Sequence, residues 1–219
     1  MPTQTFFNLP EEKRRAIVEI AVEEFAAHDY RSVSISRIVE RAGIAKGSFY
    51  QYFADKKDLH MYLLQLAGEE KLKMLAGLRP PEGQTSFFDF YRWAVSAGLQ
   101  FEAEHPQLSR MAYRALYGEL PHRDETYARL KQQSHDYLKR QIQEAVDRGE
   151  LDPAIDVDLA AFIFSVATAE LSTYIFQRLA INPVELAEKG TRKSWDLEQL
   201  TPIFNSFFYI LEKGMGSKN

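Results

Sequence analysis

The chain has 219 residues, 45% of them hydrophobic, with 27 Lys and Arg against 31 Asp and Glu and a formal net charge of −4 at pH 7. Such a balance excludes a disordered polyelectrolyte and allows one large or two small globular domains. The absence of cysteine excludes disulfides and thiolate chemistry and is consistent with a reducing compartment.

No apolar run approaches the roughly 20 residues that span a bilayer, and MPTQTFFNLPEEKRR at the N-terminus lacks the order of segments of a secretory signal. The expected setting is the cytoplasm, without a membrane partner. Strand signals are scarce and no Asn-Gly or Asp-Gly hairpin pair occurs, whereas helical periodicity runs nearly throughout. The expected fold class is all-α.

The first helix is predicted from Asn8 or Leu9, with Pro10 in its first turn and an inward stripe of Ile17, Ile20, Ala21 and Phe25. A second runs from Ser34, which can cap it, to Ala42, with Ile35, Ile38, Val39 and Ala42 on one face. Gly43 then lets the chain leave through positive φ, and Ile44 plugs the space between this helix and the next. A third, Ala45 to Phe53, turns Phe49 and Phe53 inward and leaves Lys46, Gly47, Ser48, Tyr50, Gln51 and Tyr52 outward. Two short helices joined by a glycine turn, the second presenting small polar and aromatic side chains, form a helix-turn-helix.

The outward set suits double-stranded DNA. Lys46 supplies charge at a helix N-terminus, and Gly47 lets backbone approach closely. Ser48, Tyr50 and Tyr52 offer hydroxyl donors to phosphate, while Gln51 can pair with a base edge. Lys56 and Lys57 open the next helix, where phosphate would also meet free N–H groups. Residues 31–57 hold six basic side chains against two acidic ones in a chain that is acidic overall. Phe49, Phe53, Ile38 and Ile44 read as core, and Arg41 as a solvated helix residue.

Residues 10–60 carry further fixed offsets: Phe25, Tyr30, Ser34-Ile-Ser-x-Ile38, Ala42-Gly43-Ile44, Lys46-Gly-Ser-Phe-Tyr50, Tyr52-Phe53 and Lys56-Lys-Asp-Leu59. Together they resemble the N-terminal DNA-binding domain of TetR/AcrR-type one-component regulators. The resemblance covers about a quarter of the chain. It implies operator contacts by Ser34, Ser36, Arg37, Lys46, Gly47, Ser48, Tyr50, Gln51, Tyr52 and Lys56. Two positions depart from the pattern. Asp29 stands where the family usually has Gly and is expected to tolerate a left-handed backbone, and Ala45 replaces a capping Ser or Thr.

A long helix is predicted over about 55–78, ending in the Pro/Gly stretch at 79–83. Starting at the boundary between the DNA-binding unit (1–54) and a C-terminal ligand-binding and dimerisation domain (55–219), it is the expected coupling element. Further helices are predicted over 87–104, from Pro106, over 123–148 ending at Gly149, over 157–181 capped by Asp156 or Asp158 and stopped by Asn182-Pro183, and over 198–213 after a loop containing Trp195.

The last two are too apolar for ordinary surface helices. They carry Phe162, Ile163, Val166, Leu171, Tyr174 and Ile175, then Leu200, Ile203, Phe204, Phe207, Phe208, Ile210 and Leu211. A self-complementary four-helix contact in a homodimer accommodates that excess, with Phe162, Val166, Tyr174, Ile203, Phe204, Phe207, Phe208 and Leu211 at the interface; internal core is the alternative. The resemblance implies the dimer. Phe88, Tyr91, Trp93, Phe101, Met111, Tyr113, Tyr117 and Phe164 are candidates for lining an effector cavity, with Glu170 either a carboxylate that meets a cationic ligand, Arg178 or a partner subunit, or a partly exposed interface residue. Any one of these aromatics is more often core than ligand contact, and the cavity reading rests on the set taken together.

The expected function is a regulator that binds a palindromic operator as a dimer and is released by a small apolar or aromatic effector. Neither cofactor nor metal is expected. One alternative is a DNA-binding regulator without a small-molecule effector. Another is a di-iron bundle enzyme, for which Glu102-Ala-Glu-His105 has suitable spacing but Glu119-Leu-Pro-His122 is broken by its proline. No other catalytic grouping is evident, so no enzyme activity is expected.

Overall fold

The computed structural model describes residues 1–77, 86–181 and 197–215, and every regular element among them is an α-helix. These are α1 (Gln4–Phe7), α2 (Glu11–Ala27), α3 (Ile35–Arg41), α4 (Lys46–Tyr52), α5 (Lys56–Gly77), α6 (Phe87–Glu104), α7 (Pro106–Tyr117), α8 (Arg123–Asp147), α9 (Val157–Arg178) and α10 (Leu197–Met215). The expected breaks at 79–83 and Asn182-Pro183 and the loop with Trp195 lie outside the described residues.

One core is built where the predicted stripes converge. Ile17, Ala21 and Phe25 of α2 meet Ile38 of α3, Phe49 of α4, Phe53, and Leu59 and Leu63 of α5. Phe6 joins this core fully buried, with its ring centroid 4.8 Å from that of Phe53 and 6.0 Å from that of Tyr52. Sealing a side chain of that size from water stabilises by roughly 1.5–3 kcal/mol, enough to fold a turn of helix that propensity alone would not. The predicted first helix therefore starts later than expected: Pro10 is the N-cap of α2, and α1 precedes it.

Met111 and Ala115 of α7 complete the same core, so the C-terminal part of the chain is wedged into the N-terminal unit. A second core joins Phe87, Phe88 and Tyr91 of α6, Leu138, Ile142 and Ala145 of α8, Ala160, Ala161 and Phe164 of α9, and Phe208 and Leu211 of α10. Between the two cores runs α5, which packs against α2, α6, α7 and α8.

Helix ends follow side-chain chemistry. Ser34 Oγ accepts from Arg37 N, Ser86 Oγ from Asp89 N, and Asp156 Oδ1 from the N–H groups of Asp158 and Leu159. Gly43 and Gly149 take φ of 62° and 74° after α3 and α8, a conformation that glycine reaches without a Cβ clash. Asp29 has no positive φ; its carboxylate instead accepts a hydrogen bond from Arg114 of α7 at 2.6 Å.

α9 reaches the length and mean hydropathy (1.6) of a bilayer-crossing helix, though it includes Asp158, Glu170 and Arg178. One of its sides packs along α8. Another leaves Leu159, Phe162, Ile163 and Tyr174 exposed.

Candidate nucleic-acid interface

The exposed side of α4 is continuous. Lys46, Gly47, Tyr50 and Gln51 are open to solvent and Ser48 is half-buried, while Phe49 and Phe53 are sealed behind them. A Cβ built on Gly47 meets nothing within 4 Å, so no packing in the subunit requires glycine there. Lys46 makes no ion pair among the described residues. Ser36 is exposed on neighbouring α3. These side chains form one donor-rich, cation-bearing surface of the size a groove admits.

Four sequence-based DNA contacts are placed in other roles. Tyr52 is only 6% exposed and packs on Phe6, because α1 covers the side of α4 from which the tyrosine points. Ser34 is spent as the α3 cap, and its N–H donates to Glu24 Oε1 at 3.0 Å. Arg37 donates from Nε and Nη2 to the same oxygen at 2.9 and 2.5 Å, and from Nη2 to the Ser32 carbonyl at 2.9 Å. Lys56 directs its ammonium at three carbonyls, those of Tyr30 (2.7 Å), Val33 (3.1 Å) and Arg31 (3.2 Å), and lies over the Tyr30 ring. Lys57 pairs with Glu125 of α8 at 2.6 Å, and Arg41 pairs with Glu23. The basic count over 31–57 is real, but much of it braces the unit internally.

Glu24 is the centre of that brace. It is almost fully buried on α2 and ties α2 to the start of α3. Burial by itself would raise its pKa; the Arg37 side chain and the Ser34 N–H outweigh that and hold the carboxyl below its ordinary value. A depressed carboxylate contributes stability that is complete above its ordinary value near 4.5 and is lost as pH falls through the lower, folded-state value. Glu24→Gln is expected to cost about 1–2 kcal/mol at neutral pH and to flatten the stability profile below that value, read by urea unfolding as a function of pH.

The N-terminal turn contributes something that helix patterning did not anticipate. Thr3 N donates to the Tyr52 carbonyl at 2.9 Å and Thr3 Oγ1 to the Gln51 carbonyl at 2.6 Å, which satisfies two carbonyls at the open end of α4. The available signal was the Phe6-Phe7 pair, too apolar for a free terminus.

The residues expected to line a single cavity are distributed over several sites. Phe88, Tyr91 and Phe164 belong to the closed second core with Phe87 and Phe208, where burial pushes the Tyr91 phenol up to about 12. Phe101 is buried and stacked on His105. Met111 sits in the other core. Trp93 is half-buried beside Phe90. Tyr113 and Tyr117 stack on one another and both meet Phe176 of α9. Glu170 is exposed, at an open groove of about 460 Å³ between α9 and α10 that Tyr174, Arg178, Ile203 and Phe207 also line. Side chains spaced along a helix point to different neighbours, and that scatters the set.

The expected interface residues also divide. Phe162 and Tyr174 are each 48% exposed, Val166, Ile203, Phe204 and Phe207 are half-buried, but Phe208 and Leu211 turn into the subunit's own core. Tyr209 and Ile210, at 61% and 68% exposure, take the outward positions instead.

This arrangement, a helix-turn-helix with an open recognition helix wedged against a helical C-terminal body, defines a DNA-binding transcriptional regulator. Residues 17–60 match the family model for bacterial regulatory proteins of the tetR family, and residues 85–216 match that for the Tetracyclin repressor-like C-terminal domain. The chain belongs to the TetR family, a family of regulators rather than of enzymes. Over its full length it is 43% identical to a TetR family transcriptional regulator from Chloroflexus aurantiacus, whose whole chain is also covered, with a TM-score of 0.63. It is 28% identical to the HTH-type transcriptional repressor SCO4008 of Streptomyces coelicolor, over 84% of this chain and 92% of that protein. The transcriptional regulator FadR of Bacillus subtilis, solved with stearoyl-CoA, shares the fold at 19% identity and a TM-score of 0.59, with coverage of 90% and 96% of the two chains.

Proposed function

We propose that the chain is a cytoplasmic repressor that binds a near-palindromic operator as a homodimer and is released by a small effector with an apolar body and a polar group. The observation that carries the DNA-binding part is the exposed run Lys46, Gly47, Tyr50 and Gln51 on α4, backed by a sealed aromatic core. Exposed Phe162, Ile163, Tyr174, Tyr209 and Ile210 on α9 and α10 support the homodimer, since an apolar surface of that extent has no cover among the described residues. A C₂ dimer can set two recognition helices about 34 Å apart, one turn of duplex.

The effector reading draws support from α7. Ser109 Oγ and Arg110 Nε are buried without a hydrogen-bond partner among the described residues, one helical turn before Tyr113 of the Tyr113–Tyr117 stack that faces Phe176. Buried donors on the same helix as stacked aromatic rings suit a ligand that brings acceptors and apolar surface together. The stearoyl-CoA bound by the FadR fold neighbour is a ligand of that broad character. Another side of α7 carries Met111 and Ala115 into the DNA-binding core, and Arg114 donates to the Ala26 carbonyl at 3.1 Å. A ligand that displaces α7 therefore acts on α2 and on the core that backs the recognition helix, in addition to any effect through α5.

Selection of duplexes from a random pool tests the reading. The expected product is a two-fold symmetric consensus, bound by wild-type protein with a steep salt dependence. Lys46→Ala should weaken binding to it and lower the salt slope by about one. Recovery of no enriched sequence at low ionic strength would refute it.

A further inference from the structure

A pair of histidines closes the seam between the DNA-binding unit and the rest of the chain. His60 of α5 is 3% exposed, and its Nδ1 lies 3.2 Å from Nε2 of His122, in the turn between α7 and α8. Its ring stacks on Phe25 of α2 at 4.6 Å and leans on Tyr30 at 5.3 Å, and His122 meets Tyr30 edge-on at 4.8 Å. The hydrogen bond thus ties α5 to a turn 62 residues away, inside a box of aromatic rings that also touches the segment leading into α3.

The charged surroundings of the box come from every element around it. Lys56 of α5 is held by the carbonyls of the 30–33 loop, and Lys57 pairs with Glu125 of α8. Asp55 and Glu125 exert opposing, favourable fields on a His122 cation, while Lys57 disfavours it. Arg114 of α7 binds Asp29, and Arg31 pairs with Glu119 at the rim. No carboxylate is hydrogen-bonded to the His60 ring among the contacts described.

We propose that the His60–His122 hydrogen bond is an acid-sensitive latch that fixes how the DNA-binding unit sits on the α7–α8 turn. Two neutral imidazoles, or one neutral ring and one imidazolium, can share a proton across this contact. Two imidazoliums cannot, because both facing nitrogens then donate and like charges meet at 3.2 Å. Burial, with His122 and Lys56 adding to it, pushes His60 down to about 3, and burial also lowers His122. A histidine held below its ordinary value favours the closed form fully above about 6.5; as pH falls beneath that, the open form gains up to about tenfold per pH unit for each ring kept neutral. The latch rests on the regulatory reading only for its purpose, not for its physics.

Hydrogen exchange measured by mass spectrometry on the full chain tests it without DNA. After correction for intrinsic rates, peptides covering the 118–123 turn and the 28–33 loop should lose protection together by about tenfold between pH 7.5 and 5.5. His60→Phe, which keeps the stack on Phe25 and Tyr30, should remove that pH response. His60→Gln, which offers His122 a neutral amide in place of the titrating ring, should do the same if the phenylalanine variant fails to fold. Wild-type protection that is flat with pH, or an undiminished response in the variants, overturns the latch. A chain that selects no operator yet shows the predicted exchange would sink the regulatory reading and leave the latch standing.

Discussion

Ile210→Arg is expected to yield a folded monomer that binds an operator-length duplex about a hundredfold or more weakly than the wild-type chain. Ile210 is 68% exposed on α10, so the subunit's own core loses nothing when a guanidinium replaces the side chain. A self-complementary contact brings each substituted position near its symmetry mate, and two charges then enter an apolar interface without partners. The loss in affinity follows from independent half-site binding, since tethering two readers contributes about 10² to 10⁴ to apparent affinity. Sedimentation gives the assembly state and a fluorescence-anisotropy titration gives the affinity. Phe208→Arg provides the contrast: at 3% exposure it should unfold the C-terminal body rather than dissociate it. A dimer of Ile210→Arg that persists at micromolar concentration would place the interface elsewhere.

Lys56→Met should damage the DNA-binding unit by a route the resemblance does not suggest. The ammonium satisfies the carbonyls of Tyr30 and Val33 at part-buried sites, and that of Arg31 nearer solvent. Methionine retains the apolar stem and removes all three bonds, leaving two shielded acceptors without a donor at a cost of roughly 2–4 kcal/mol. Because this loop leads into Ser34 and α3, operator affinity should fall as the unit loosens. The salt slope should nevertheless stay within about half a unit of wild type, because no phosphate contact has been deleted. A slope reduced by a full unit with unchanged stability would restore Lys56 to the DNA surface.

Local rules accounted for much of the architecture. Ser34, Gly43 and Asp156 mark helix ends through their own backbone chemistry, and three- and four-residue spacing marked the buried faces of α2, α3 and α4. What escaped was set by partners far away in the chain. Tyr52 looks outward on a helical wheel until α1 folds over it, and Lys56 looks like a phosphate ligand until the 30–33 loop presents its carbonyls. Phe208 and Ile210, both apolar and two residues apart, carry no local mark of which one faces the subunit and which faces out.

The amino-acid order alone determined an all-helical chain, the position of its helix-turn-helix and the kind of surface that α4 presents, because these depend on periodicity, caps and short-range turn chemistry. Tertiary structure decided which polar side chains remain available for DNA, which aromatics are filled core, and that α7 and His122 abut the DNA-binding unit. The reason is that burial and hydrogen-bond pairing are properties of two surfaces meeting, and the second surface can lie far along the chain, 88 residues away for Arg114 and the Ala26 carbonyl.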